Sequence, residues 1–325
     1  MTQAPVRTTA HRLAFLFLCA ICLAPLFNLP FGIASWTAPI ALIVGVAFAL
    51  SLGHPFPSQS KVTSKWLLQA SVVLLGFSMD IGKVAEAGRS GLLFSLISIS
   101  LVFALGWWLR RALSIRPVIG LLVSAGTAIC GGSAIAAVSS VVDAEAEDVS
   151  VAVGTVFLLN AVALMVFPPL GRLIGLSQHQ FGIWSGIAIH DIASVVGAGT
   201  AYGASALDVG TAVKLSRVLF LVPVTLIIAF LYRRKSGKER GGAQIPWFVG
   251  LFLLASLARY CVPEIARHTG DVKRVATAGF TLCLFLIGTA LTRKALRSVG
   301  IRPLLLGVLL WVSISVGTLL VVLHR

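Results

Sequence analysis

Charged side chains are scarce in this sequence: they make up 11% of its 325 residues, whereas a soluble domain carries about a quarter. Hydrophobic residues make up 58%, and the mean hydropathy is +0.97. Long polar segments are missing too, since the longest polar connection, residues 233–244, is too short and too basic to bury a core. These properties exclude a soluble globular chain. They predict a polytopic membrane protein with a cytoplasmic linker near 233–245 between two repeat-related halves.

Signatures of catalysis and of cofactor binding are also lacking. The five cysteines lie in or beside apolar runs, so we expect neither a disulfide nor a Cys-x-x-Cys metal site. The G-x-x-x-x-G-K-[ST] motif of ATP-binding proteins does not occur. The eleven acidic residues are mostly scattered in loops, without the carboxylate cluster that Mg²⁺ requires. We therefore expect no enzyme, no metal and no cofactor.

Apolar runs recur along the whole chain, and most are 17 to 25 residues long. This is the length with which an α-helix crosses a hydrocarbon core of about 30 Å, and backbone amides in lipid favour helices. We predict an all-α, polytopic transmembrane helical bundle of about eleven crossings, with a cytoplasmic tail over 1–12 and a single transporter domain over 13–325. The predicted crossings are centred on 13–29, 36–52, 65–79, 91–109, 117–139, 149–167, 181–200, 207–231, 246–262, 274–291 and 303–323.

Positive charge dominates, with a formal net charge of +15. Because Lys and Arg are spread over short loops, we expect no nucleic-acid partner. If the N-terminus is cytoplasmic, the predicted inside segments hold seventeen Lys and Arg and the outside segments six. This excess predicts an N-terminus inside and a C-terminus outside. The same topology places Arg116 and Arg172 inside and the acidic loop of residues 143–148 outside.

Two internal sequence matches suggest repeats. The stretch "LLGFSMDIGKVAEAGRSGLL" (74–93) aligns without gaps with "LIGTALTRKALRSVGIRPLL" (286–305), and the predicted topology makes the two copies antiparallel. Inverted repeats with discontinuous crossing helices are typical of secondary transporters. A weaker match, 124–136 with 184–196, does not invert under this topology. The two matches need different offsets, so no single tandem duplication explains both.

The first candidate site lies in "SAGTAICGGSAIAAVSS" (124–140), where adjacent glycines stand beside hydroxyl and thiol side chains. Glycine pairs loosen a helix, and a half-helix that restarts there points the positive end of its dipole at an anion. The alternative is close helix packing on small residues. We favour the broken helix, with the candidate ligands Thr127, Cys130, Gly131, Gly132 and Ser133.

The second candidate is the adjacent pair His190 and Asp191 within the apolar run "GIWSGIAIHDIASVVGAG" (182–199). A charge at mid-membrane depth costs about 2.5 to 3.5 kcal/mol and usually faces a partner or a water-filled cavity. If the run is one helix, His190 and Ser194 share a face and Asp191 points about 100° away. A metal site would need further ligands that the sequence lacks. A structural role stays open, with Asp191 accepting hydrogen bonds at a helix N-terminus.

The third candidate is "TAVKLSRVLFLVPV" (211–224), where Lys214 and Arg217 stand three residues apart and share a helical face. Two cations on one face favour an anion. The alternative is snorkelling, in which the long side chains reach the membrane interface. We favour a buried pair. Lesser candidates are Asp80, expected to end a helix, Asn160, expected to hold helices together, and Arg259.

The motifs "GTAICGGSAIAA", "GIAIHDIASVVGAG" and "AVKLSRVLFLVPV" resemble the YeiH family of bacterial inner-membrane proteins, which is assigned to sulfate export. The resemblance runs from about Phe31 to Leu323. It implies the superfamily of bile acid, arsenite and riboflavin transporters and cation-proton antiporters, in which a core domain moves against a scaffold. Two positions depart from the family pattern. Ile192 stands where the family commonly has Thr or Ser, and Ser216 stands where it commonly has Thr.

These observations predict a secondary-active transporter in the bacterial inner membrane that carries a small, sulfate-like oxyanion by alternating access. His190 and Asp191 would couple H⁺ or Na⁺, since histidine titrates near neutral pH. The alternatives are a membrane enzyme for lipid-linked or phosphorylated substrates and an anion channel. The expected partners are the anion and the lipid bilayer, with a homodimer left open. The predicted substrate ligands are Thr127, Cys130, Gly131, Gly132, Ser133, Ser194, Lys214 and Arg217.

Overall fold

The computed structural model describes residues 5–23, 26, 38–236 and 247–324, and within them it contains helices and no strands. This confirms the predicted all-α membrane bundle. The helices, in chain order, are α1 (Pro5–Cys22), α2 (Ala38–Ser51), α3 (Pro57–Gly76), α4 (Ile81–Ala112), α5 (Pro117–Ala128), α6 (Gly132–Val142), α7 (Ala146–Ile174), α8 (Gln178–Ala188), α9 (Ile192–Tyr202), α10 (Ala204–Val218), α11 (Leu221–Ser236), α12 (Trp247–Cys261), α13 (Pro263–Arg267), α14 (Thr269–Ala290), α15 (Arg293–Ser298) and α16 (Ile301–Leu323).

Five segments among the described residues are long and apolar enough to cross a membrane. They are Phe94–Ala112, Ala146–Ile174, Ala204–Tyr232, Thr269–Ala290 and Ile301–Leu323. One of them joins α10 and α11 into a single span, and several further apolar helices are shorter. The predicted linker near 233–245 lies mostly outside the described residues.

Helix boundaries follow local signals in the sequence. Pro117 occupies the first turn of α5, where its missing N–H has no partner to lose. Gly175 ends α7 in the left-handed region, with φ +75°. Two residues later Ser177 and Gln180 form a capping box that begins α8. The turn between α7 and α8 is therefore specified by three neighbouring residues.

The chain divides into two compact units, of which the first comprises residues 1–80 and 251–293. In it, α14 packs against α2 and α3. A Cβ on Gly288 would lie 2.5 Å from the carbonyl oxygen of Leu42, so only glycine allows α2 and α14 to approach so closely. Asp80 closes the first part of this unit, directly before α4.

The second unit, residues 81–250 and 294–325, contains a helical hairpin in place of a predicted crossing. Its arms are α5 and α6, and we call residues 117–142 the first hairpin. At its base, Nη2 of Arg116 lies 2.6 Å from Oδ1 of Asp148, and Nη1 lies 3.6 Å from Oε2 of Glu145. Because Arg116 precedes α5 and Asp148 follows α6, both ends of the hairpin lie at the same end of the unit.

A second hairpin, residues 178–202, consists of α8 and α9. The hydroxyl of Tyr202 donates to the carbonyl of Leu176 over 2.6 Å, and the Tyr202 ring stacks on Phe181 with ring centroids 3.8 Å apart. The backbone N–H of Ser205 donates to Oε1 of Gln178 over 2.9 Å. The residues before α8 and those after α9 are therefore neighbours.

The two hairpins enter the unit from opposite ends and meet at their turns. The 29-residue helix α7 begins beside the base of the first hairpin and ends beside the base of the second, and its length is about 44 Å. A Cβ on Gly131, in the turn of the first hairpin, would lie 3.4 Å from Cβ of Asp191 in the turn of the second. Each arm is 11 or 12 residues long, about half of a membrane crossing.

These hairpins correct the predicted path of two apolar runs. The runs 117–139 and 181–200 were expected to cross the membrane, but each returns to the end from which it started. The acidic loop 143–148 therefore lies on the same face as Arg116, and Arg172 lies at the opposite end of α7. Moving Arg172 changes the predicted charge distribution only from seventeen against six to sixteen against seven. The expected orientation of the termini is unaffected, because the number of lost crossings is two and an even number leaves the C-terminus on the predicted side.

The second unit contains an inverted repeat that explains the match of 124–136 with 184–196 and the parts of the longer match that lie in this unit, 81–93 and 294–305. Helix α4 packs on α5 as α16 packs on α8, and α5 packs on α7 as α8 packs on α10. Likewise α9 packs on α7 as α6 packs on α11. The first copy consists of α4, the first hairpin and α7, in that order along the chain. The second copy consists of the second hairpin and α10, and the counterpart of α4 is α16, which comes last in the chain. This permuted order is why the two matches need different offsets.

Candidate functional site

The turn of the first hairpin, residues 129–131, confirms the predicted break in the glycine-rich run. Helix α5 ends at Ala128 and α6 begins at Gly132. Gly131 has φ +68° and ψ −127°, a conformation that glycine adopts readily and other residues rarely adopt. The N-cap of α6 is Gly131, which has no side chain to accept from the first turn, and the Cys130 thiol lies within reach of the Ala134 N–H.

Small-residue packing, the alternative interpretation, also occurs in this stretch but at a different glycine. A Cβ on Gly126 would lie 2.9 Å from Cδ1 of Ile135 and 3.0 Å from Cγ2 of Val156. Gly126 therefore allows the arms of the first hairpin and α7 to pack closely. The glycine-rich sequence has two functions, close packing at Gly126 and a turn at Gly131.

The turn of the second hairpin, residues 189–191, contains the His-Asp pair. Asp191 is the N-cap of α9: Oδ1 accepts from the N–H of Ser194 over 2.9 Å, and Oδ2 accepts from its hydroxyl over 2.6 Å. The single helix considered for this run is therefore wrong, because the chain must turn here. The structural alternative for Asp191, a helix N-cap, is what the structure contains.

His190 is buried between the second hairpin and α7, with 1% of its surface exposed. Its backbone N–H donates to Oδ1 of Asn160 over 3.0 Å, so Asn160 holds helices together as predicted. Among the described residues, neither ring nitrogen of His190 makes a hydrogen bond of ordinary geometry, although the backbone of Val156 is close. The amide nitrogen of Asn160 also has no partner there.

Lys214 and Arg217 are both fully buried on α10, with 0% of their surfaces exposed. This confirms the buried pair and contradicts snorkelling. Arg217 binds protein groups: Nη1 donates to Oγ of Ser98 on α4 over 3.0 Å, and Nη2 donates to the carbonyl of Ala128. It thus caps the C-terminal end of α5, where the helix dipole favours a cation.

Lys214 differs from Arg217 in its hydrogen bonding. Within the described part of the chain, Nζ of Lys214 has no hydrogen-bond partner. Lys214 lies close to Arg217 on its own helix, to Cys130 of the first turn and to Asp191 of the second. Lys214 and Arg217 also act electrostatically on His190. Both hairpin turns and α10 therefore meet around this ammonium group.

The remaining predicted ligands occupy different positions around the turns. Thr127 is buried at the end of α5, and its hydroxyl has no partner among the described residues. Ser133 is exposed and its side chain reaches the Cys130 thiol. Ser216 stands where the YeiH family commonly has Thr. Its hydroxyl donates to the carbonyl of Val213 in its own helix, so this hydrogen is not available to a ligand. Arg259 belongs to α12, in the other unit.

Sequence reasoning missed the serines of α4. Ser98 accepts a hydrogen bond from Arg217. Ser95, one turn earlier, is buried, and its hydroxyl has no partner in the described part of the chain. The signal was available in "LFSLISIS", where serines three residues apart share one face of an apolar helix.

Several hydrogen-bond donors lie around the two turns. They are the Lys214 ammonium, which has no acceptor among the described residues, the Thr127 hydroxyl, the Asn160 amide and backbone N–H groups at the start of α6. Groups of three or more His, Cys, Asp or Glu side chains able to hold a metal do not occur in the parts of the chain that the structure describes.

Comparisons with known proteins agree along nearly the whole chain. A family model described as "Conserved hypothetical protein 698" matches residues 11–307. A UPF0324 membrane protein of Porphyromonas gingivalis is 47% identical over 292 residues, 88% of this chain and 87% of the relative. Another, of Bacteroides thetaiotaomicron, is 44% identical over 294 residues, 89% and 88% of the two chains. A third, of Bdellovibrio bacteriovorus, is 41% identical over 315 residues, 96% and 94%. No solved structure matches the chain.

Proposed function

The chain belongs to the family of UPF0324 membrane proteins, and from the geometry of its site we propose that it is a secondary-active transporter of a small anion. A sulfate-like oxyanion is the substrate that fits best, in line with the sulfate export assigned to the YeiH family that the motifs resemble. The chain then acts as a carrier and not as an enzyme, in the bacterial inner membrane with its N-terminus in the cytoplasm.

One observation supports this function above all others: where two inverted hairpins meet, a fully buried lysine has no hydrogen-bond acceptor among the residues that the structure describes. An isolated ammonium in an apolar interior is strongly unfavourable, so a bound anion would supply the missing partner. Hydroxyl and amide donors nearby suit the several oxygens of an oxyanion. Arg217, whose Nη1 and Nη2 already bind Ser98 and Ala128 and whose Nε has no partner among the described residues, contributes positive charge and one further donor.

The inverted hairpins support alternating access. Each hairpin separates the meeting point from one end of the unit, because the first enters beside Arg116 and the second beside Leu176. Movement of one hairpin at a time would open the site to one side of the membrane only. The coupling of H⁺ or Na⁺ through His190 and Asp191 stays a prediction, and the two hydrogen bonds from Ser194 occupy the Asp191 carboxylate.

Uptake into proteoliposomes tests the proposal. We expect the purified protein to accumulate labelled sulfate, or to exchange it for unlabelled sulfate on the other side, and related oxyanions to compete. Lys214→Ala should reduce this exchange at least tenfold, because the buried anion loses its counter-charge. Lys65→Ala, the same substitution at an exposed lysine of α3, is the matched control and should transport normally.

Three results would contradict the proposal. Transport by Lys214→Ala at the wild-type rate would remove the site from the substrate path. Passive dissipation of an anion gradient without exchange would indicate a channel. Absence of movement of any oxyanion would favour the enzyme alternative.

A further inference from the structure

We infer that Lys214 is the proton carrier of this transporter: its amine takes up a proton together with the anion and loses it when the anion leaves. This inference rests on the proposed function and assigns the coupling to a single side chain. It depends on the different bonding of the two buried cations of α10.

Arg217 and Lys214 are equally buried but differently partnered. Arg217 donates to Ser98 and to Ala128, and a guanidinium keeps its charge in proteins. Lys214 has three potential donor hydrogens and no acceptor in the described part of the chain. Without an anion, the neutral amine is therefore the favourable form of Lys214, whereas an anion in contact with it favours the ammonium. Proton and anion binding are thus linked, and each strengthens the other equally.

The groups around Lys214 leave it as the side chain best suited to this task. Arg217 on the same helix adds positive charge, which opposes protonation until an anion arrives. The Asp191 carboxylate accepts two hydrogen bonds from Ser194. Cys130 of the first hairpin and His190 of the second complete the titratable groups close to Lys214.

The helices packed against α10 add no further titratable group near Lys214. They are α4, α8 and α9. Helix α4 has none between Phe94 and Leu109, α8 has only His179 at its base, and α9 has only Tyr202 at its base. Asp208 of α10 itself lies six residues, or about 9 Å, before Lys214.

The transport step balances as follows. On the loading side the amine takes one proton from water and the site takes one divalent anion, so an ammonium–anion pair forms. On the release side the anion departs and the ammonium returns its proton to water. One proton therefore crosses with each anion. A proton gradient can drive the anion, and each cycle moves one net negative charge if the anion is divalent.

Calorimetry of sulfate binding to the purified wild-type protein, in buffers with different ionisation enthalpies, counts these protons directly. We expect uptake of about one proton per sulfate at a pH between the point where the free site loses its proton and the higher point where the sulfate-bound site loses it. In that range the affinity should fall about tenfold per pH unit. Binding of sulfate without proton uptake would overturn the inference and leave the proposed function intact. Absence of binding would overturn the proposed function itself.

Two variants distinguish Lys214 from His190. Lys214→Arg replaces the amine with a permanently charged group, so its sulfate affinity should not change with pH and no proton should be taken up. His190→Gln tests the competing assignment: it removes the side chain that the sequence predicts to couple the proton, and if Lys214 is the carrier it should keep the pH slope. The opposite pattern, with a normal slope in Lys214→Arg and none in His190→Gln, would assign the proton to His190. If Lys214→Arg does not bind sulfate, the proton uptake of His190→Gln decides between the two residues. Uptake of about one proton per sulfate by that variant supports Lys214 as the carrier, and binding without proton uptake contradicts it.

Discussion

Single residues at the two hairpin turns decide whether the site can form. Gly131 combines a positive φ with close contact to the second turn, since a Cβ there would lie 3.4 Å from Cβ of Asp191. Asp191 in turn begins α9 by accepting from both the N–H and the hydroxyl of Ser194. The two turns are therefore held by different means, backbone freedom in the first and a side-chain cap in the second.

Gly131→Ala should destabilise the first turn by about 1 to 3 kcal/mol, because alanine rarely adopts this backbone conformation. Gly132→Ala is the matched control: it lies in the first turn of α6, has no positive φ, and its Cβ would meet only the Phe157 ring at 3.2 Å. We expect thermal unfolding in detergent to show a lower midpoint for Gly131→Ala than for Gly132→Ala. Equal midpoints would mean that the turn tolerates a side chain.

The site was largely predictable at this scale. Adjacent glycines predicted the turn at Gly131, and two cations in an apolar run predicted a buried pair. The different partners of Lys214 and Arg217 could not be predicted, because they depend on Ser98 and Ala128, residues that the chain brings to α10 only by folding.

At the level of whole elements, the hairpins are the feature that the apolar pattern disguises. A run of about 25 apolar residues has the same composition whether it crosses the membrane or turns back halfway. Only contacts between distant residues distinguish the two paths. Here these contacts are the ion pair of Arg116 with Asp148 and the hydrogen bond from Tyr202 to Leu176.

Cysteine labelling from one side of the membrane tests these paths. Single cysteines at Ala112, Glu147 and His179, all exposed positions, would be introduced into a variant without the five native cysteines. A membrane-impermeant thiol reagent should modify Ala112→Cys and Glu147→Cys from the same side and His179→Cys from the other. Labelling of Ala112→Cys together with His179→Cys, with Glu147→Cys modified from the other side, would restore two crossings in place of two hairpins.

At the scale of the whole molecule, the repeat is both inverted and permuted. It places two equivalent hairpins in one unit, where they enter from opposite ends and are joined in the sequence by α7. Each hairpin that replaces a crossing reverses the direction of the helices after it, and two such reversals leave the helices after the second hairpin in their predicted directions. The charge distribution therefore still predicts a cytoplasmic N-terminus and a periplasmic C-terminus. The basic segment 233–240 and the cations following α14 account for much of that excess.

Reporter fusions test this orientation. Alkaline phosphatase fused to the C-terminus should be active, because it folds only in the periplasm, and a fluorescent protein fused there should stay dark. The same fluorescent protein at the N-terminus should be bright. A bright C-terminal fusion would mean one of two things. Either the orientation of the chain is reversed, or the number of crossings differs by an odd number from that of the hairpin topology.

The sequence by itself determined the class of protein and the positions of its costly polar groups. Hydropathy and helix length decide that a chain enters a membrane, and a buried charge stands out against an apolar run wherever it lies. Only the tertiary structure decided which runs turn back, how the two repeat copies are permuted, and which buried cation lacks a partner. The physical reason is that hairpin bases, helix packing and hydrogen-bond partners are made by residues far apart in the chain, and local composition carries no record of them.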